Sequence, residues 1–181
     1  MLSRRDWLLA AGSAPLADLA RSAALKRVKI TGLEVVSVAV NLRGNRVFVR
    51  LKAGSSLAGL GEASHGARGP RETELERMRR ALEELFALIE GKSPFEIERF
   101  RLAAWPRAKA GGLLAATAAS ALEQAMLDLA GKALGVPVHD LLGGRLRDTI
   151  KLYANINRAS NERSPSQFAA NAAQEIGRAH V

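Results

Sequence analysis

AASALEQAMLDLAGKALGVPVHDLLGG, residues 118–144, is the stretch that decides the fold, because it combines a buried helix face with a sharp helix end. Asp128 and Lys132 lie four residues apart, in the order that favours an ion pair along a helix. Gly135 can adopt the left-handed conformation that ends a helix, and Pro137 prevents the helix from continuing. Apolar residues recur at intervals of three and four residues, which places them on one side of the predicted helix: Leu114, Ala118, Leu122, Ala125, Met126, Leu129 and Ala133. We therefore predict a long buried helix that ends at Gly135.

Three β-strands are predicted upstream of this helix. Residues 28–40 are rich in β-branched side chains and are typical of a strand, but their alternation slips near Val35–Val36, which indicates a bulge or a change of buried face. Residues 41–45 form a turn, and residues 46–53 alternate cleanly between apolar and polar side chains. Residues 57–63 form the third strand. Because the connections are short, the three strands are predicted to form an antiparallel meander.

Two further helices are predicted between the meander and the long helix. Thr73 and Glu76 form a capping box, which predicts a helix that starts there and ends at Gly91. A second capping box, Ser93 with Glu96, predicts another helix.

Proline limits this second helix at both ends. Pro94 is predicted at its first helical position, where a missing N–H costs nothing, and the helix is predicted to stop before Pro106. A flexible link over residues 109–112 then leads into the long helix. A meander followed by a helical bundle is an α+β layer arrangement.

Two motifs in this order resemble one family. The run A-L-x-x-A-M-x-D-L-A-G-K-A-L-G-V-P-V-x-x-L-L-G-G, residues 121–144, resembles the end of the N-terminal capping domain in the mandelate racemase/muconate lactonizing enzyme branch of the enolase superfamily. Gly59-Leu60-Gly61-Glu62-Ala63 resembles the G-x-G-E-A segment that closes the three-stranded sheet of that domain. Their order and separation also fit, and the resemblance extends over residues 28–174.

The resemblance implies an enolase-like N-terminal capping domain over residues 28–148. Residues 149–174 would then form the first β/α unit of an incomplete TIM barrel. Thr149–Asn157 is typical of a strand, and Ser164-Pro165 with Gln167 opens an amphipathic helix. Since seven more units would be needed to close a barrel, the chain is interpreted as a truncated member of the family.

The two ends of the chain are interpreted separately. Ser3-Arg4-Arg5-Asp6-Trp7-Leu8 resembles the twin-arginine export motif, so residues 1–27 are predicted to be an export leader to the periplasm or a disordered N-terminus. The alternative is a frayed N-terminal helix of a cytoplasmic protein. EIGRAHV, residues 175–181, matches a translated sequencing adapter and is predicted to be a non-native tail, so that native sequence ends near Gln174. A native helix end capped by Gly177 is the alternative.

In the family that the chain resembles, an anionic substrate loses a proton next to its carboxylate, with a lysine or histidine as base and Mg²⁺ stabilising the enediolate. The resemblance places the metal ligands and the bases on the second and later barrel strands. No residue of this chain is therefore predicted to be catalytic or to bind the metal, and no metal is expected on the fragment. The expected function is that of an N-terminal fragment, itself inactive, of a Mg²⁺-dependent acid-sugar dehydratase, racemase or cycloisomerase. The open alternative is an autonomous binding or assembly module without catalysis.

Substrate-binding residues are predicted on two loops, residues 41–46 and 64–71, which the resemblance places over the barrel mouth. The planar guanidinium of arginine suits a carboxylate, although each of Arg43, Arg46, Arg68 and Arg71 could instead be a solvated loop residue. His65 could contact substrate, and three polar residues lie where the barrel strand ends, the side on which TIM-barrel sites assemble. The predicted set is Arg43, Arg46, His65, Arg68, Asn155, Asn157 and Arg158.

Composition narrows the possible partners. The net charge of +9 suggests nucleic-acid binding, but only 4% of the residues are aromatic, which leaves few side chains for base stacking, so a surface for small anionic carboxylates is the preferred interpretation. The apolar region of residues 7–19 is shorter than the ~20 residues that span a bilayer, so no membrane span is predicted. The lack of cysteine excludes disulfides and thiolate metal sites. A complete member of the family is expected to form a homo-oligomer.

Overall fold

A computed structural model of the chain describes residues 25, 27–41, 44–64, 71–151, 156 and 164–178. The chain divides into two compact units, Met1–Gly144 and Arg145–Val181. The described part of the first unit contains a three-stranded sheet and four helices, and that of the second contains one helix. The α+β class and the meander followed by helices are therefore confirmed.

The sheet consists of β1 (Ile30–Asn41), β2 (Gly44–Ala53) and β3 (Leu57–Glu62), in the order β1-β2-β3. Both pairings are antiparallel, as a meander requires. Gly54, with φ of 62°, turns the chain between β2 and β3. The first turn is shorter than predicted, because Gly44 and Asn45 already pair with β1, and residues 42–43 lie outside the described part.

The predicted irregularity at Val35–Val36 is wrong in position. Both valines pair regularly with β2, opposite Val49 and Phe48, and the register shifts lie between Ile30 and Gly32 and between Ala39 and Asn41. The alternation slips at these valines because apolar residues lie on both faces of the strand: Val35 packs against the core, whereas Val36 and Val38 are 41% and 44% exposed.

The buried face of the sheet is provided mainly by alternate residues of β2. Val47, Val49, Leu51 and Ala53 are at most 3% exposed, and their partners Leu33 and Val35 on β1 are packed against the same core. This confirms the alternation predicted for residues 46–53. The opposite face carries charged residues, among them Arg50, with Val36 and Phe48 partly exposed between them.

Helix α1 spans Arg71–Phe86, so the prediction that Thr73 caps its start is wrong. Threonine is tolerated inside a helix at a small cost, so the T-x-x-E pattern does not fix where a helix begins. The helix also ends before the predicted Gly91, and shorter i→i+3 hydrogen bonds come after it, such as Ile89 N–H to Phe86 O at 2.9 Å. The chain then meets β1, where Gly91 N–H donates to Ile30 O at 2.8 Å.

The capping box before the second helix forms in part. Ser93 N–H donates to Glu96 Oε1 at 3.3 Å, as predicted, but it is Phe95 N–H that donates to Ser93 Oγ, at 3.4 Å. The Ser93 N–H, with the nearby Arg99 guanidinium, holds the pKa of the Glu96 carboxyl below its usual value. Helix α2 begins at Ile97, so Pro94 precedes the helix instead of occupying its first position.

Helix α2 spans Ile97–Ala110 and contains Pro106, so the prediction that it stops before this proline is wrong. Proline leaves one helical carbonyl, here that of Leu102, without its N–H donor. Leu102 is 78% exposed and Pro106 is also exposed, so water can solvate this carbonyl. Core contacts on the other side of the helix hold it in place through Phe100, Ala104 and Ala108.

The long helix α3 spans Gly112–Leu134 and ends as predicted. Gly135 has φ of 73°, and its N–H donates to the last turn of the helix. Gly111 alone separates α2 from α3, so the predicted link over residues 109–112 is reduced to one residue. The short helix α4, Val138–Leu141, comes directly after Pro137. The buried side of α3 consists of Ala118, Ala121, Leu122, Ala125, Met126, Leu129, Ala130 and Gly131.

The second unit contains helix α5, Pro165–Arg178, which confirms the helix predicted after Ser164. Ser164 Oγ accepts from Gln167 N–H at 3.3 Å, as the capping pattern requires. The strand predicted over Thr149–Asn157 is not found at the described positions 149–151 and 156, where Ile156 lies in a turn. The rest of that segment lies outside the described residues.

Candidate functional site

Helix α3 lies directly against β3, and the two glycines of the G-x-G-E segment make this approach possible. A Cβ atom at Gly59 would overlap the carbonyl oxygen of Ala125, and one at Gly61 would overlap that of Ala121. Both obstacles are helix backbone, which cannot move aside as a side chain can. The glycines of the motif are therefore explained by packing of the helix on the strand.

A stripe of polar side chains runs along α3 at intervals of three and four residues. This α3 polar stripe is defined as Thr117, Ser120, Gln124, Asp128 and Lys132. It lies beside the edge of β3 that no other strand pairs with in the described structure. An edge strand presents backbone N–H and C=O groups that need partners, and the stripe provides them.

The C-terminal part of the stripe binds the backbone of β3. Leu60 N–H donates to Asp128 Oδ2 at 2.8 Å, and Lys132 Nζ donates to Ala58 O at 2.9 Å. Lys132 Nζ also lies 2.7 Å from Asp128 Oδ2, which confirms the predicted i, i+4 pair. Glu62 N–H donates to Gln124 Oε1 at 3.3 Å. These bonds fix the strand that carries Glu62.

The N-terminal part of the stripe lines an open cleft of about 480 Å³ between α3 and the ends of β2 and β3. The cleft is open to solvent and its described lining is mostly polar, in contrast to the enclosed, mainly apolar pockets that usually bind small ligands. The cleft, called here the α3 cleft, is lined by Arg46, Glu62, Ser64, Ala116, Thr117, Ser120 and Gln124.

Arg46 and Glu62 form an ion pair at one side of the α3 cleft, with 2.5 Å between Nη1 and Oε1. Glu62 is opposite Phe48 in the sheet, two residues from Arg46, so the two side chains are diagonal neighbours on one face. The side chains are 54% and 39% exposed, and a pair this exposed contributes little to stability. Its consequence is chemical, because the cleft presents one donor-only and one acceptor-only charged group side by side.

Ser64 is held in place just beyond β3. Ala63 N–H donates to Val47 O at 2.7 Å, and Val47 N–H donates to Ser64 Oγ at 3.2 Å. On α3, Gln124 Nε2 donates to Ser120 Oγ at 3.3 Å. The hydroxyl proton of each serine and the second amide proton of Gln124 are not used in these bonds. The polar groups are thus positioned and retain hydrogen-bonding capacity.

Of the predicted substrate-binding residues, Arg46 is the one whose side chain the structure describes, and it lines the cleft in its pair with Glu62. Arg71 begins α1, and nothing is described of its side chain. The remaining predicted residues lie outside the described part of the chain: Arg43, His65, Arg68, Asn155, Asn157 and Arg158.

Sequence reasoning missed the contribution of α3 to the cleft. Thr117, Ser120 and Gln124 have the same three- and four-residue spacing as the buried side of the helix, but on another side. A search for polar as well as apolar periodicity in this alanine-rich helix would have found them. Their closeness to Arg46 depends on the packing of α3 against β3, which no local pattern encodes.

No group of three histidine or acidic side chains that could hold a metal ion occurs among the described residues. The described residues that line the α3 cleft therefore do not fit a magnesium site, which needs several oxygen ligands. In the same part of the chain, no helix has the length and apolar character needed to cross a bilayer.

Comparison with known proteins identifies the family. Residues 26–143 match the model of the mandelate racemase/muconate lactonizing enzyme N-terminal domain. The chain belongs to this family. The match covers the sheet and helices α1 to α4, which confirms the resemblance inferred from the G-x-G-E-A segment and the α3 motif.

Three relatives illustrate the range of the family. D-galactonate dehydratase of Variovorax paradoxus (strain S110) is 33% identical over 128 residues, which are 70% of this chain and 31% of that protein. The crystal structure of a putative galactarate dehydratase from Agrobacterium radiobacter, with bound sodium and L-malate, is 31% identical with a TM-score of 0.62, over 71% of this chain and 31% of that one. A putative L-alanine-DL-glutamate epimerase from Burkholderia xenovorans, bound to magnesium and fumarate, is 29% identical with a TM-score of 0.57, over 66% and 28% of the two chains. The chain thus spans about a third of the length of these relatives.

Proposed function

We propose that this chain provides the capping domain of an acid-sugar dehydratase, an enzyme that removes the proton next to a substrate carboxylate. The observation that carries this proposal is the 33% identity to D-galactonate dehydratase over 128 residues, which are 70% of this chain. The carboxylates bound to two structural relatives, malate and fumarate, support an anionic substrate. A racemase or a cycloisomerase of the same family shares the first step, proton removal, and differs in the later steps of the reaction.

The described residues limit what the capping domain does in such a reaction. They include no group of three histidine or acidic side chains that could hold a metal ion, so no metal-dependent step is assigned to them. What they can do is bind and orient substrate, because the α3 cleft presents positioned hydroxyl, amide and charged groups at the ends of β2 and β3. Positioning of substrate is itself a large part of enzymatic rate enhancement.

The experiment that tests the proposal uses the polypeptide encoded by the complete gene. Its purified product is incubated with Mg²⁺ and a panel of acid sugars in D₂O, and the reaction is followed by proton NMR. A dehydratase removes the C2 proton and releases the C3 hydroxyl as water, so the signals of a 2-oxo-3-deoxy acid are expected. Exchange of the C2 proton without loss of water would indicate a racemase. If no acid sugar shows exchange or dehydration, the proposal is wrong.

The isolated 181-residue chain gives a second test. Calorimetric titration with Mg²⁺ is expected to show nothing tighter than millimolar, because a high-affinity site needs several convergent oxygen ligands. Stoichiometric micromolar binding of Mg²⁺ would contradict the proposal that the capping domain does not itself hold the metal.

A second candidate function, an assembly module without catalysis, is favoured by one observation. Leu102, Trp105 and Leu113 are 78%, 67% and 60% exposed, and large apolar side chains in water favour association. Sedimentation velocity over a range of concentrations distinguishes the two candidates when it is combined with the activity assay. A defined oligomer of this chain and an inactive complete gene product would together favour the assembly module.

A further inference from the structure

The packed part of the chain begins close to Leu25. Ile30, fully buried at the start of β1, donates its N–H to Lys92 O at 2.9 Å and accepts from Gly91 N–H at 2.8 Å. Val28 packs against the hydrophobic core, and its N–H donates to Leu25 O at 3.2 Å. Leu25 is itself half-buried. A chain that lost residues beyond Leu25 would therefore lose contacts with the core.

The residues before Leu25 have the three parts of an export leader. Residues 1–24 lie outside the described part of the chain, so they enter through their sequence alone. Arg4 and Arg5 form a cationic start, and the apolar residues 7–19 that follow have a length within the roughly 7–15 residues typical of a leader. Residues 20–24 then supply the small side chains that precede the bond cut by a leader peptidase.

The pattern of small residues selects one bond. A leader peptidase reads small side chains at the first and third positions before the cut, which lie on the same side of an extended chain, whereas the second points away. Ser22 and Ala24 meet this requirement for the bond between Ala24 and Leu25. Earlier pairs of small residues, within residues 10–14, lie inside the apolar region. Ala20 with Ser22 is the remaining pair, but it places a serine instead of an alanine next to the cut.

We propose that a leader peptidase cuts this chain between Ala24 and Leu25. Water is added across the peptide bond, so the leader leaves with a carboxylate at Ala24 and the mature chain gains an α-amino group at Leu25. The twin-arginine route carries folded proteins, so the bond must lie outside the packed fold, and this one spares the core contacts of Val28 and Ile30. The proposal depends on export and is independent of the dehydratase function.

The test uses the complete gene product, expressed in a bacterium that has a twin-arginine export system. Protein from the periplasmic fraction is analysed by intact mass and by N-terminal sequencing, and Leu-Lys-Arg-Val-Lys-Ile, residues 25–30, is the expected start. Arg4→Lys with Arg5→Lys should leave uncut protein in the cytoplasm.

Two shortened forms, expressed without the leader, test where the packed part begins. A form that starts at Leu25 keeps the contacts of Val28 and should unfold at the same temperature as the uncut protein. A form that starts at Lys29 lacks the apolar side chain of Val28 and should unfold at a lower temperature.

A matched pair of substitutions tests the bond itself. Ala24→Gln places a large side chain next to the cut and should lower the processed fraction roughly tenfold. Ala23→Gln places the same side chain on the opposite side of the extended chain, so its processing should equal that of the parent. If Ala24→Gln is processed as completely as the parent, the proposal is overturned.

The remaining outcomes separate the cleavage bond from export. A periplasmic protein that starts at Ala23, or that keeps its leader, overturns the assigned bond and leaves export standing. If the form that starts at Leu25 does not fold, the fold needs earlier residues and the assigned bond is wrong. If that form folds but the parent stays uncut in the cytoplasm, export and cleavage both fail. Dehydratase activity is measured separately on the same protein, so its absence would refute the proposed function alone.

Discussion

Replacing Gly61 with alanine tests the packing on which the whole capping domain depends. The new Cβ atom would overlap the carbonyl oxygen of Ala121 and lie 2.9 Å from its carbonyl carbon and 3.2 Å from Ala125 N. These atoms belong to the backbone of α3, so no rotamer change relieves the overlap. Either α3 or β3 must shift, and the hydrogen bond from Glu62 N–H to Gln124 would stretch with it.

The expected cost is the balance of two opposing effects. Overpacking of a well-filled interior costs about 1–3 kcal/mol, and contact with rigid backbone places Gly61→Ala near the upper end. Alanine has less conformational freedom than glycine in the unfolded chain, which raises the free energy of unfolding of the variant by about 0.5–1 kcal/mol. The net destabilisation should be about 2 kcal/mol, equivalent to a Tm lower by roughly 4–8 °C for a chain of this size.

Gly32→Ala is the matched control, because it introduces the same methyl group into the same sheet. At Gly32 the nearest atoms to an added Cβ are Lys52 Cβ at 3.8 Å and Cδ at 3.9 Å, which are ordinary contacts. Both variants gain the unfolded-state effect, so the difference between them measures the overlap with α3. Urea unfolding followed by far-UV circular dichroism gives both free energies. If Gly61→Ala unfolds within about 0.5 kcal/mol of Gly32→Ala at the same m-value, the helix does not approach the strand this closely.

Three further predictions concern other parts of the chain. Asp128→Asn should lower the free energy of unfolding by about 1 kcal/mol, because it weakens the bonds to Leu60 N–H and Lys132. As a control in the same urea assay, Asp148→Asn, at a side chain that is 93% exposed, should change the free energy of unfolding by less than about 0.5 kcal/mol. Equal effects of the two substitutions would contradict the role of the α3 polar stripe at the β3 edge. Glu96→Gln should destabilise the protein at neutral pH but not in acid, since a carboxyl whose pKa is lowered on folding stabilises the protein fully above its usual pKa of 4.5 and loses that contribution as the pH falls through the folded pKa. A difference in the free energy of unfolding that stays constant down to low pH would refute this. Export of the protein remains a proposal, which can be tested by fusing residues 1–27 to a reporter protein. The double substitution Arg4→Lys with Arg5→Lys should retain the reporter in the cytoplasm. Undiminished export would contradict the twin-arginine interpretation.

The features predicted correctly from sequence are those whose cause lies within a few residues. Gly135 ends α3 because a left-handed residue and Pro137 act on the same helical turn. The alternation of β2 is equally local, since successive side chains of a strand point to opposite faces. The pair Asp128–Lys132 was predictable because helical geometry alone brings residues four apart together.

The incorrect predictions have a different cause. At these positions, contacts with residues distant in sequence determine which of several possible local conformations the chain adopts. Helix α2 continues through Pro106 because buried side chains hold it on one side while water reaches the other. The register shift of β1 lies at Ile30 because the backbone of Ile30 bonds to Gly91 and Lys92 as well as pairing with β2. Neither partner is near in sequence, so the alternation of residues 28–40 does not reveal this position.

The candidate site was harder to predict than the fold because the same helix, α3, both supports β3 and lines the cleft. The α3 polar stripe supports β3 through Asp128 and Lys132 and lines the cleft through Thr117 and Ser120, with Gln124 taking part in both. Substitutions along the stripe should therefore divide by position. Asp128 and Gln124 both bond the β3 backbone, at Leu60 N–H and Glu62 N–H, so Asp128→Asn and Gln124→Leu should each lower the free energy of unfolding. Ser120→Ala removes only the bond from Gln124 Nε2 to Ser120 Oγ, so it should lower the free energy of unfolding less. If all three variants lost the same stability in urea unfolding, the bonds from the stripe to the β3 backbone would not be what holds α3 on β3.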